Sequence, residues 1–211
     1  ASPIGDPGNV ARCLASHARD ALRAVEQAPA GAMEELSEAL SDGVGFDLGD
    51  AKGRRFFCST LVQTLFYGVF SAWVLWGQQP RAQDERFAWR ESADLLHLPL
   101  LTKLFHAMTR PGSPFAGALR ERLDLAEWTL NRVDREAFFK GFPEEEAVQY
   151  FYEPFLAAFD ADLRRQLGVW YTPREVVHYM VERVDRALRE ELGLTLGLAD
   201  PNVVVLDPAC G

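Results

Sequence analysis

The sequence predicts a mainly α protein. A helical bundle fills residues 1–165, and 166–211 contribute one helix and one strand of an α/β domain. Three observations carry this. Apolar residues recur at helical spacing from Val10 to Phe159. No alternating apolar–polar run, the mark of a half-buried strand, occurs before residue 203. The chain then changes character: Val203-Val204-Val205-Leu206 is a β-branched run suited to a short buried strand, and Asp207-Pro208-Ala209-Cys210-Gly211 follows at its carboxyl edge. Ligands of open α/β sheets bind outside the carboxyl ends of strands, beside glycine-bearing loops. The last residues therefore read as the opening of a cofactor site, with the rest of the motif expected beyond Gly211.

Taken in order, Val10, Leu14, Ala18, Ala21, Leu22 and Val25 mark a first amphipathic helix that ends near Pro29 and Gly31. Met33, Leu36 and Leu40 mark a short second one, followed by a Gly- and Asp-rich loop from Asp42 to Asp50. A long apolar helix then runs to Gly77 and Pro80, and residues 81–92 are polar and irregular. Pro99 should break or kink the leucine-rich stretch from Leu95 to Phe105. Ser113-Pro114 reads as an N-cap and first helical position for a helix through Leu130. Asp134 caps a short helix ending at Phe139, and Pro154 predicts a kink, or two abutting helices, in the apolar run from Ala147 to Phe159.

Composition excludes some functions. Net charge is −9 and 48% of residues are hydrophobic, which suits a sizeable core and argues against a broad nucleic-acid surface, because phosphate affinity needs clustered Lys and Arg. The pairs Arg54-Arg55 and Arg164-Arg165 are too isolated to form a basic stripe. Cys13, Cys58 and Cys210 are far apart and odd in number, which fits free thiols in a reducing cytoplasm. His17, His97, His106 and His178 show no metal-ligand spacing, so no metal site is expected. The first nine residues show no targeting pattern. No charge occurs between Arg55 and Arg81, a span long enough to cross a bilayer. However, Thr60, Gln63, Thr64, Tyr67 and Ser71 form a polar stripe along it, which favours the central helix of a soluble bundle.

A second motif precedes the last helix. In Gly168-Val169-Trp170-Tyr171-Thr172-Pro173, Thr172 is an N-cap, Pro173 the first helical residue, and Glu175 completes a capping box. Val176, Val177, Met180, Val181, Val184, Leu188 and Leu192 give the helix an apolar face, and Gly193 ends it. The start of such a helix offers free N–H groups and partial positive charge to a carboxylate or phosphate. A capped helix leading into a strand that exits through an acid and a glycine is more informative than either alone.

These two motifs resemble those of adenine-specific DNA methyltransferases. More narrowly, they resemble single-chain restriction–modification enzymes that fuse nuclease, helical coupler, methyltransferase and target-recognition parts. Upstream, Gln63-Thr64-Leu65-Phe66-Tyr67-Gly68-Val69-Phe70 and Tyr150-Phe151-Tyr152-Glu153-Pro154-Phe155-Leu156 resemble stretches of the same enzymes, so the likeness spans roughly residues 50–211. It implies a helical coupler over 1–165 and, over 166–211, the start of a Rossmann-like methyltransferase domain that binds S-adenosylmethionine. Tyr171, Thr172 and Pro173 would approach the cofactor's methionine part and Asp207 its ammonium group. Pro208, Ala209, Cys210 and Gly211 would form the loop where backbone passes close to it, with Cys210 a small filler rather than a nucleophile. The family's catalytic Asn/Asp-Pro-Pro-Tyr/Phe is absent. Asp200-Pro201-Asn202 is no substitute, since it lacks the second proline and the aromatic residue. No catalytic residue is therefore expected here, and DNA would be bound mainly by other domains of the parent enzyme. Two other readings stay open: a methyltransferase of a nuclease-free phage-defence system, and a purely structural or interaction module.

Overall fold

Asp6 starts the first helix. In the computed structural model of the chain, residues 4–40, 49–79, 85–140, 144–161 and 174–206 are described. The Asp6 carboxylate accepts a hydrogen bond from the Asn9 amide at 2.7 Å, and Pro7 takes the first helical position, where its missing N–H costs nothing. Helix α1 (Pro7–Glu26) thus begins three residues before the first apolar mark at Val10. Its alanine-rich face is fully buried and packs against α6 (Ala116–Leu130) and α8 (Glu144–Phe159). Small side chains there allow close helix approach.

Helix α2 (Ala30–Leu40) buries Met33 and Leu36. Helix α3 (Ala51–Gln78) is the centre of the bundle. The Asp50 side chain caps it by accepting from the Gly53 amide at 2.6 Å. By length and composition it could cross a membrane, but 72% of its most apolar window is buried inside the protein. It packs against α1, α4 (Ser92–Leu96), α5 (Pro99–Thr109), α6 and α8, which is why apolar residues surround nearly its whole circumference. The polar stripe has a use: Gln63 Nε2 donates to the Tyr152 hydroxyl at 2.7 Å, and the Tyr67 and Tyr152 rings meet edge-on at 5.0 Å.

Pro99 does separate two helices. Helix α4 ends at His97 in the left-handed region (φ 52°), Leu98 is extended as a residue before proline prefers, and Pro99 opens α5. Asp134 caps α7 (Arg135–Phe139) by accepting from the Ala137 amide at 3.0 Å. Two expectations need correction. Helix α6 starts at Ala116, not at Pro114. Ser113 Oγ accepts from the amide of Phe115, two residues on, and its carbonyl from Ala116, so Ser113-Pro114 forms a turn ahead of the helix. Pro154 lies inside an unbroken α8, where it only removes the N–H that would bond four residues back.

Phe151, Phe155 and Phe159 lie one turn apart on α8 and stack in succession at 5.5 and 5.6 Å. Phe70 of α3 stacks on Phe151 at 3.6 Å, and Trp73 meets Phe138 of α7 edge-on. The two upstream stretches that carry the family resemblance therefore meet as core packing between α3 and α8. The chain divides into two units, residues 1–168 and 169–211, and all the packing above belongs to the first.

Candidate functional site

The predicted site residues Tyr171, Thr172, Pro173, Asp207, Pro208, Ala209, Cys210 and Gly211 lie outside the described residues. What is described is the segment joining the two motifs. Helix α9 (Arg174–Glu190) begins directly after Pro173, with Glu175 in its first turn. It ends where Gly193 (φ 71°) turns the chain back and the Leu194 amide donates to the carbonyl of Leu188. A short 3-10 turn (Gly197–Ala199) follows, and residues 203–206 lead to Asp207.

A side-chain clamp that the sequence reading missed holds this connection. Asp185 and Arg189 lie one turn apart on α9, with Arg189 Nε 2.6 Å from Asp185 Oδ2. Arg189 also donates to the carbonyls of Thr195 (2.5 Å) and Leu196 (3.1 Å), while Asp185 Oδ1 accepts from the Leu198 amide at 2.8 Å. The hydrogen bond from Arg189, then the one from the Leu198 amide, holds the Asp185 carboxyl below its ordinary range, and Asp185 in turn raises Arg189. Gly197 sits at φ 57°, and a Cβ there would collide with the Asp185 carboxylate. The only signal in the sequence was an Asp-x-x-x-Arg spacing followed by glycines, and that pattern alone reads as a surface helix pair.

The strand expected at residues 203–206 is not shown among the described residues. Residues 203–206 form no ladder, and Val204, Val205 and Leu206 are exposed. A strand needs ladder partners for its N–H and C=O groups; the Val203 amide instead donates to the Asp200 carbonyl at 2.9 Å in the preceding turn. The apolar face of α9 is likewise half exposed at Val176, Val177, Met180, Val181 and Val184. Asp200-Pro201-Asn202 is a tight turn in which Asp200 Oδ1 accepts from both the amide and the side chain of Asn202 at 3.0 Å, as befits a connector.

Elsewhere two titratable groups, His17 and Cys58, have structural tasks. The His17 ring lies 3.3 Å from Thr129 Oγ1, and its pKa is lowered, chiefly by burial. Cys58 is buried against Met33, and burial, with the nearby Glu26 charge, pushes its thiol up to about 11, which keeps it protonated and unreactive. Among the described residues no group of His, Cys, Asp and Glu could hold a metal ion.

A family model described as N-6 DNA methylase matches residues 144–211. The match covers about a third of the chain. It begins at the first residue of α8, runs through α9 and its clamp, and takes in both predicted cofactor motifs. It supports an adenine DNA methyltransferase assignment for this part. No curated protein and no solved structure matches the chain.

Proposed function

We propose that the chain is part of an N6-adenine DNA methyltransferase that uses S-adenosylmethionine and serves a restriction–modification system. The observation that carries the reading is the N-6 DNA methylase match over 144–211, which spans Tyr171-Thr172-Pro173 and Asp207-Pro208-Ala209-Cys210-Gly211 together. The chemistry of these groups fits the amino-acid end of the cofactor. The first-turn amides of α9 follow directly on Pro173 and suit a carboxylate. Asp207 suits an ammonium group, and Gly211 leaves room for close backbone approach.

When bound, the cofactor supplies an electrophilic methyl group on its sulfonium. The residues of this chain bind and orient it: the start of α9 holds the carboxylate and Asp207 the ammonium, so that positioning is their contribution to rate. The clamp of Asp185 and Arg189 sets the path between the two halves of the pocket. The Asn/Asp-Pro-Pro-Tyr/Phe that holds a flipped adenine in this family is not among the 211 residues, so in this proposal the chain provides no group to the adenine. Residues 1–165 serve as the helical coupler.

In the intact polypeptide, Asp207→Ala and Thr172→Ala each lower S-adenosylmethionine affinity about tenfold or more, read by calorimetry, because the first removes the charge-assisted contact to the ammonium and the second removes the cap that orders the helix start holding the carboxylate. Unchanged affinity in both variants would sink the assignment. Residues 1–211 alone should bind the cofactor weakly or not at all, and tight binding would contradict the placement of the remaining pocket elsewhere.

A further inference from the structure

The C-terminal end of α5 and the start of α6 enclose a cleft of about 390 Å³, and the charge on its walls runs against that of the chain. Arg90, Arg110 and Arg120 line it together with His106, and no carboxylate does. Arg90 is partly committed: it lies over the Trp89 ring at 4.5 Å and pairs with Asp124 at 3.1 Å. Arg120 spends only Nε, on the Thr109 carbonyl at 2.7 Å. That bond fixes its guanidinium beside the residue preceding Arg110 and leaves both of its Nη groups unused among the described residues. Arg110 has no side-chain partner among the described residues. In a protein of net charge −9, Arg110 and the Nη groups of Arg120 line one cleft that has no acid among its lining residues, which leaves them available to an anion.

We propose that this cleft binds a phosphate group of a nucleic-acid backbone. Arg110 and the Nη pair of Arg120 present the planar forks that match phosphate oxygens, with His106 at the rim. The contact is independent of base sequence. Trp89 is buried and its ring is already covered by Arg90, so no aromatic face is free to stack a base. One cleft grips one or two phosphates, so the interaction is weak and strongly salt-dependent. The phosphate chemistry stands on the cleft alone; naming DNA as its source rests on the methyltransferase reading above.

The test is fluorescence anisotropy of a labelled 20-base-pair duplex at low salt with the 211-residue protein, in competition with inorganic phosphate. Arg110→Gln removes no hydrogen bond of the fold and should weaken duplex binding about tenfold, with a larger loss in Arg110→Gln/Arg120→Gln. The slope of log affinity against log salt should fall by about 2 in the double variant. Melting curves check that both variants stay folded, and Arg23→Gln, on an exposed arginine of α1, should leave binding unchanged. If neither duplex nor phosphate binds, or if the variants bind like the parent, the arginines only cap the end of α5 and the proposal is overturned. If phosphate binds and duplex does not, DNA is overturned as the source. Neither result bears on the cofactor, whose binding Asp207→Ala reports separately.

Discussion

Helices α1 and α9 carry similar amphipathic patterns and meet different fates. Val10, Leu14, Ala18, Ala21 and Val25 of α1 are at most 1% exposed, whereas Val176, Val177, Met180, Val181 and Val184 of α9 are 42–56% exposed. The sequence pattern states that a helix has a face to bury, but not where the partner is. For α1 the partners α6 and α8 lie in the same unit. For α9 the described residues of its own unit supply only the clamped 3-10 turn. The family match runs from α8, whose aromatic face is filled, into α9, whose face is not. Burying a Val or Met fully contributes about 1.5–3 kcal/mol each, so the apolar face of α9 marks a large stabilisation that the described residues of its own unit do not realise.

The largest test of this contrast is Phe151→Ala. Phe151 is 1% exposed and sits between Phe70 and Phe155. Its loss should cost the helical unit about 3–5 kcal/mol, through lost transfer energy and the cavity left behind, read as a shift of the denaturant midpoint. A loss under about 1 kcal/mol would mean that this stack is not the core it forms here.

Next in size is Gly197→Ala, which probes the second unit. The added Cβ would strike the Asp185 carboxylate, and φ 57° is unfavourable for alanine. The clamp should open, and amide exchange at Leu198 should rise well above that of the parent while exchange in α1 is unchanged. Parent-like protection of Leu198 would show that the clamp does not hold the connection.

Much of the first unit was legible because its signals are local. Pro99 breaks a helix wherever it stands, and Asp134 needs only the next three residues to cap one. The clustering of aromatic residues followed from helical spacing. What escaped the sequence reading depends on contacts between distant positions or on competition between turn types. Arg90, Arg110 and Arg120 come from three separate segments and line one cleft only because α5 turns back into α6 beside the 3-10 turn at Trp89–Glu91. Ser113-Pro114 has the chemistry of a helix start, but Ser113 bonds two residues ahead and closes a turn instead. The strand at Val203–Leu206 is a statement about partners, which the run itself does not contain. The predicted site residues, Tyr171 to Pro173 and Asp207 to Gly211, read as a capped helix start and a glycine-bearing loop from their own chemistry and take a specific cofactor only through the resemblance; they lie outside the described residues. Between them the structure describes the clamp that links them.

A smaller effect comes from His17. Burial lowers its pKa from 6.5 in the folded protein, so below about pH 6.5 the unfolded chain takes up the proton first. Stability therefore rises with pH through that window and falls as the solution is acidified. Asp20 opposes the shift and Arg122 reinforces it. In His17→Gln the acid-side decline should be shallower than in the parent, measured as the midpoint of chemical denaturation between pH 5 and 7.5. An identical slope in both proteins would mean that His17 does not titrate differently on folding.

The smallest expected effect is the most direct test of the opening contrast. Val181 of α9 and Leu14 of α1 both stand mid-face on their helices, one 50% exposed and the other fully buried. Val181→Ser removes apolar area that is already largely hydrated, so in the 211-residue protein it should change stability by no more than about 0.5 kcal/mol. Leu14→Ala removes a fully buried side chain and should cost about 2–5 kcal/mol. The ratio between the two is the measurement that matters, because it compares one pattern in two settings. If Val181→Ser costs as much as Leu14→Ala, α9 is covered in solution and the exposed face is wrong. If the cost is small here but rises to a core-like value in a longer polypeptide, the missing partner of α9 lies outside these residues.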